Sequence, residues 1–132
     1  MHHVFLYTPR DSATFRQVET YFRQFSWSGA LSTLPPGSGF SSPLCLQMRS
    51  NDILLLFAHD DDDIDALLLM GDEFKSYRII LVISSEQQVR NNRYSHLSPR
   101  FVGYLESNID EVVEYLTNIF RKETHNTPFL KR

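Results

Sequence analysis

Runs of apolar residues alternate with polar stretches along the whole chain, and their lengths predict the elements. His3 to Thr8, HVFLYT, is an apolar run of strand length stopped by Pro9. Phe15, Val18, Phe22 and Phe25 then recur at helical spacing, so a helix is predicted over Ser12–Phe25, with Asp11 or Ser12 as its cap. GALSTL, from Gly29, predicts a short strand, and PPGSG a loop. Ser41–Ser50 fits a short helix capped by Ser42, or an extended segment. DILLLFA, from Asp52, reads as a strand covered on both faces. Asp61–Met70 is predicted to be a helix with acids at its positive end and Gly71 as its stop. RIILVI, Arg78–Ile83, is a second buried strand, Glu86–Tyr94 a helix, and Phe101–Leu105 a third buried strand. Ile109–Lys122 has the clearest helical stripe: Ile109, Val112, Val113, Leu116, Ile119 and Phe120. Asn108 and Glu111 are placed as a capping box.

Strands alternating with helices predict an α/β fold with a parallel sheet wound on both sides. Five strands and five helices in this length match the flavodoxin-like order 2-1-3-4-5, a doubly wound five-stranded parallel sheet with helices on both faces. The 132 residues make one domain, expected over residues 1–122, with 123–132 as a linker or disordered tail. The longest apolar tract, Ile53–Ala58, has six residues and is far too short to span a bilayer. The start shows no basic segment followed by a long apolar one, so the expected location is cytoplasmic.

Charge sharpens this picture. The net charge of −3 argues against direct nucleic-acid binding by this domain. Asp52–Glu73 holds eight acidic residues and no Lys or Arg, whereas Lys75–Arg100 holds five basic residues and one acidic. Such polarity suits either a protein contact or two solvated faces. Cys45 alone excludes an internal disulfide and a multi-cysteine metal cluster, and it has no His near it in sequence. His59 with Asp60–Asp63 follows a strand, where open α/β sheets place ligands. The group suits a divalent ion or, more simply, a helix start rich in acids. Neither a phosphate loop nor a nucleophile elbow is present, and no nucleophile–base pair is readable. The chain is therefore expected to have no enzymatic activity, metal or cofactor.

Three segments, DILLLF (Asp52–Phe57), RIILVIS (Arg78–Ser84) and GYLESNIDEVV (Gly103–Val113), carry a likeness. With them the chain resembles the receiver domain of two-component response regulators. The resemblance implies that acids after the first strand hold Mg²⁺, an Asp ending the third strand accepts the phosphoryl group, and a hydroxyl and a Lys follow the fourth and fifth strands. Here the acid-pair positions fall on Thr8 and Pro9 and the acceptor position on Phe57. The hydroxyl position falls near Ser84, and the Lys-Pro positions fall on Ser107 and Asn108. A pseudo-receiver is therefore expected. It would be a regulatory and protein-interaction domain that is not phosphorylated, and the amino-terminal signalling module of a bacterial transcription regulator. The alternative is a small-ligand or nucleotide sensor at the carboxyl ends of the strands, around Thr8, Arg10, Asp11, His59, Asp60, Ser84 and Ser107. The expected partner is a protein, chiefly a second copy, with no membrane contact. The self-contact would set Arg90, Arg93 and Arg100 against Glu106, Asp110 and Glu114 of the other copy, near Tyr104.

Overall fold

The structure, a computed structural model, describes residues 3–37, 52–74, 77–90 and 92–125. Strands β1 (Val4–Tyr7), β2 (Leu31–Thr33), β3 (Ile53–Ala58), β4 (Arg78–Ile83) and β5 (Phe101–Tyr104) form one sheet, ordered β2-β1-β3-β4-β5. Every pairing is parallel, with Val4 opposite both Leu31 and Ile53, Ile53 opposite Arg78, and Ile80 opposite Phe101. This is the flavodoxin-like arrangement the pattern predicts.

Side chains alternate across the sheet, as the pleat requires. Val4, Leu6, Ile53, Leu55, Phe57, Ile80 and Val82 face one way. They pack against α1 (Ala13–Phe22) and α4 (Ile109–His125), through Phe15, Val18 and Phe22 on the first and Val112, Val113 and Leu116 on the second. Phe5, Tyr7, Leu54, Leu56, Ala58, Ile79, Leu81 and Ile83 face the other way, against Ile64 and Leu67 of α2 (Asp61–Leu69) and Phe74 of α3 (Gly71–Phe74). Because β3 is central, all six of its side chains are buried, hence its uninterrupted apolar run.

Several expectations need correction. Gly71 does not stop a helix. α2 ends at Leu69 with Met70 as its cap, and Gly71 opens the one-turn α3. Glu86–Tyr94 is not an α-helix: residues 86–88 turn, and a 3₁₀ helix follows over Asn92–Leu97. From Glu86 to Leu97, Val89 and Leu97 are buried and Tyr94 half-buried, too few apolar positions for a helical stripe. β5 is an edge strand in which only Gly103 is buried, so Phe101–Leu105 is not covered on both faces. α1 stops at Phe22, and Phe25 stacks on Trp27 of a 3₁₀ turn (Ser26–Ala30) with ring centroids 5.9 Å apart. α4 runs on to His125, past the expected boundary at residue 122. The Ser41–Ser50 segment, Cys45 and the tail after His125 lie outside the described residues.

Ser12, not Asp11, caps α1, accepting the Phe15 N–H at 3.0 Å. The Asn108–Glu111 pair forms with a different wiring from a capping box. Asn108 Nδ2 donates to the Glu111 carboxylate at 2.8 Å, while Asn108 Oδ1 accepts the Tyr104 N–H at 2.6 Å. The side chain thereby ties the end of β5 to the start of α4. Gly103 serves the same junction. A Cβ there would lie 2.1 Å from Val112 Cγ2, so only glycine lets α4 lie this close to β5.

Candidate functional site

In a parallel sheet every strand points its carboxyl end the same way, so the turns after β1, β3, β4 and β5 gather at one edge. Thr8, Pro9, Arg10 and Asp11 arrive after β1, His59 and Asp60 after β3, Ser84 after β4, and Ser107 after β5. The gathering is real for Arg10, Asp11, His59 and Asp60. With Ser12 and Asp63 they line a hollow of about 190 Å³.

The hollow is built around one cation. Arg10 Nε donates to Asp63 Oδ1 at 2.7 Å, and Arg10 Nη2 donates to both oxygens of Asp60 at 2.8 Å. Both acids belong to the start of α2. Asp60 is its cap, accepting the Asp63 N–H at 3.1 Å, and the three-residue spacing brings Asp60 and Asp63 to one side of the first turn. Asp63 is 1% exposed, and its second oxygen accepts the His59 N–H at 2.9 Å. Its carboxylate is thus bonded on both oxygens, as a buried charge must be. Hydrogen bonds and charge, from Asp63 first and Asp60 second, raise the Arg10 pKa above its ordinary value. For Asp60, burial alone would raise the pKa. The Asp63 N–H and the Arg10 guanidinium outweigh it and hold the carboxyl below its ordinary 3.8.

The surrounding polar groups are turned onto backbone. Ser84 Oγ donates to the His59 carbonyl at 2.5 Å, and Thr8 Oγ1 to the Arg10 carbonyl at 3.2 Å. Gly37, at φ 72, donates its N–H to the Thr8 carbonyl at 3.0 Å and closes the turn over β1. His59 Nδ1 is buried and has no hydrogen-bond partner among the described residues. Asp11 turns away to an ion pair with Arg16 at 2.6 Å, which lowers the Asp11 pKa.

The other expected positions are scattered. The Phe57 ring is fully buried on the α1 side of the sheet, 6.1 Å from the Phe15 ring. Pro9 is half-buried, while Ser107 is exposed in the turn before α4, its N–H bonded to the Tyr104 carbonyl at 3.2 Å. Asp63 is expected from the sequence in the acidic group of His59 with Asp60–Asp63 but not among the crevice residues, and the structure places it in the hollow. Five aspartates lie within Asp60–Asp65, and only spacing from the cap singles this one out. Among the described residues no three His, Cys, Asp or Glu side chains converge to hold a metal ion.

The acidic and basic stretches meet within the chain. Arg93 pairs with Asp65, and the Arg90 N–H donates to Asp61 at 3.1 Å. Asp110 accepts the Tyr21 hydroxyl at 2.5 Å, which with partial burial pushes the Tyr21 pKa up to about 12. The Tyr104 hydroxyl is hydrogen-bonded with Tyr94, and its pKa is likewise pushed up to about 12. Arg100, Glu106 and Glu114 are exposed. Arg93 and Asp110, two of the residues expected to pair between copies, thus have partners within their own chain.

No described helix is long and apolar enough to cross a membrane. Compared with protein-family models, curated proteins and solved structures, the chain matches none.

Proposed function

We propose that the chain is a receiver-like regulatory and protein-interaction domain that is not phosphorylated. It would act in the cytoplasm as the amino-terminal signalling module of a transcription regulator, and pair with a second copy. The layout of the sheet supports the likeness. The observation that carries the loss of phosphorylation is the Arg10–Asp60–Asp63 cluster. A side-chain cation takes the acids of the carboxyl-end hollow, and the acceptor position, Phe57, is core. Phosphoryl transfer needs an attacking atom and a metal or cation free to meet the phosphoryl oxygens. Incubation with acetyl phosphate and Mg²⁺ should therefore leave the intact mass unchanged. An acid-labile gain of one phosphoryl group overturns the reading. Light scattering at low and high salt tests the pairing, and a monomer at high protein concentration in both salts removes it.

A second reading, a small-ligand sensor, has one observation in its favour. A buried polar atom without a partner is costly, and His59 Nδ1 is such an atom beside the hollow. A nucleotide panel with Mg²⁺ in a thermal-shift assay decides it, because a ligand bound to the folded state raises the melting temperature.

A further inference from the structure

The amino end of the sheet holds a larger recess. β4 and β5 begin there, between the carboxyl end of α2, the short α3 and the 3₁₀ helix Asn92–Leu97. The cavity measures about 500 Å³, a size typical of small-molecule sites. Phe74, Tyr77, Ile79 and Leu97 give it an apolar floor. Leu69, on its rim, is 90% exposed, the one large apolar side chain so exposed among the described residues.

The polar wall is unevenly committed. Asp72 already has a partner. Arg100 is fixed at the rim by its own backbone, whose N–H donates to the Ile79 carbonyl at 2.7 Å. The side chains of Arg100 and His96 make no hydrogen bond or ion pair among the described residues. Among the described residues the uncommitted charge on this wall is that of the Arg100 guanidinium. Arg93, nearby in sequence, is tied to Asp65. Ser98, between the two basic residues, sits at φ 52 directly before Pro99, and its N–H is held by the Ser95 carbonyl at 2.9 Å. A non-glycine residue in the left-handed region is strained, and such strain clusters where a wall must hold a particular shape.

We propose that this cavity binds a small aromatic acid. The ring would lie on the apolar floor and the anionic group would meet the Arg100 guanidinium, a planar donor suited to a carboxylate. The site lies at the sheet end opposite the Arg10 cluster, so it stands independently of whether that cluster takes a phosphoryl group.

The test is a ¹H–¹⁵N NMR titration of the full chain with 1-naphthoate, and with 1-naphthamide as its neutral counterpart. Saturable shifts should be confined to Leu68–Phe74 and His96–Arg100, with the amide binding about tenfold more weakly. Arg100→Gln alters an exposed side chain and should weaken naphthoate by about tenfold while leaving the amide unchanged. Gly71→Phe should abolish both, since Gly71 lines the cavity and a Cβ there meets nothing within 4 Å. The proposal is overturned by an absence of saturable shifts at millimolar ligand. Shifts centred on His59–Asp63, or naphthoate affinity unchanged by Arg100→Gln, overturn it equally.

Discussion

The two ends of the sheet handle charge in opposite ways. At the carboxyl end, Arg10, Asp60 and Asp63 are bonded to one another and to the first turn of α2. At the amino end, Arg100 and His96 border a recess more than twice as large, and their side chains make no hydrogen bond or ion pair among the described residues. Open α/β sheets ordinarily place ligands at the carboxyl end, because strand order reverses there and helix N-termini converge. In this chain the charges at that end are bonded to one another and to the turn that starts α2. A crevice in the customary place is thus no guide to chemistry until the partners of its side chains are known.

The largest effect is expected at Phe57, the acceptor position of the proposed receiver-like reading. Phe57→Asp would put a carboxylate at the acceptor position, inside a core where Phe57 has no exposure. Losing a buried aromatic costs about 3–5 kcal/mol, and an unpaired buried charge adds to it. The variant should lack a cooperative thermal transition by circular dichroism. A folded Phe57→Asp protein would mean that this position opens to solvent and that the carboxyl end is less closed than described.

Asp63→Ala comes next. It removes the acceptor of the His59 N–H and of Arg10 Nε at a nearly fully buried position. Breaking a buried hydrogen-bonded charge should cost about 2–4 kcal/mol in urea denaturation. Arg10→Met should cost only about 1 kcal/mol, since the Arg10 side chain is 56% exposed and its pairs are screened by water. Equal losses for the two would show that Asp63 serves only as a counter-ion to Arg10 and not as an anchor for the β3–α2 turn.

Acid separates the ends more gently. The Asp60 carboxyl has a lower pKa folded than unfolded, so its contribution is complete above the unfolded value of 3.8. It is lost as pH falls below that value and through the lower folded one. Stability measured against pH should fall less steeply in acid for Asp60→Asn than for the parent chain. Parallel acid limbs would show that the Arg10 pair does not survive in solution.

The smallest effect belongs to the amino end. Arg100→Gln should change stability by less than about 0.5 kcal/mol, as expected for an exposed side chain without a side-chain partner among the described residues. A loss comparable to that of Asp63→Ala would abolish the contrast between the two ends.

Much of the fold is legible in the apolar pattern alone. Alternating strands and helices give a parallel sheet wound on both sides, and the order 2-1-3-4-5 is one of the known layouts that fit it. The stripes of α1 and α4 name Phe15, Val18, Val112 and Leu116 as core, because amphipathic periodicity is a local property of the chain. Where the pattern is thin, local reasoning misleads. Glycine suggests a stop at Gly71, yet its backbone continues into α3. The Glu86–Tyr94 stretch lacks the spacing to bury a helical face and turns instead. The gathering of Arg10, His59 and Asp60 at one edge is also legible, since parallel strands all end there. Which charge bonds to which is decided by distances between residues some fifty positions apart, as in the pairing of Arg10 with Asp63. The same holds for Arg93 with Asp65, where one residue of each oppositely charged stretch pairs inside one chain. Sequence specifies periodicity and the alternation of strands with helices because these depend on neighbours along the chain. The burial of Asp63, the closure of the carboxyl end and the recess at the amino end exist only once β1, β3, β4 and β5 are packed side by side.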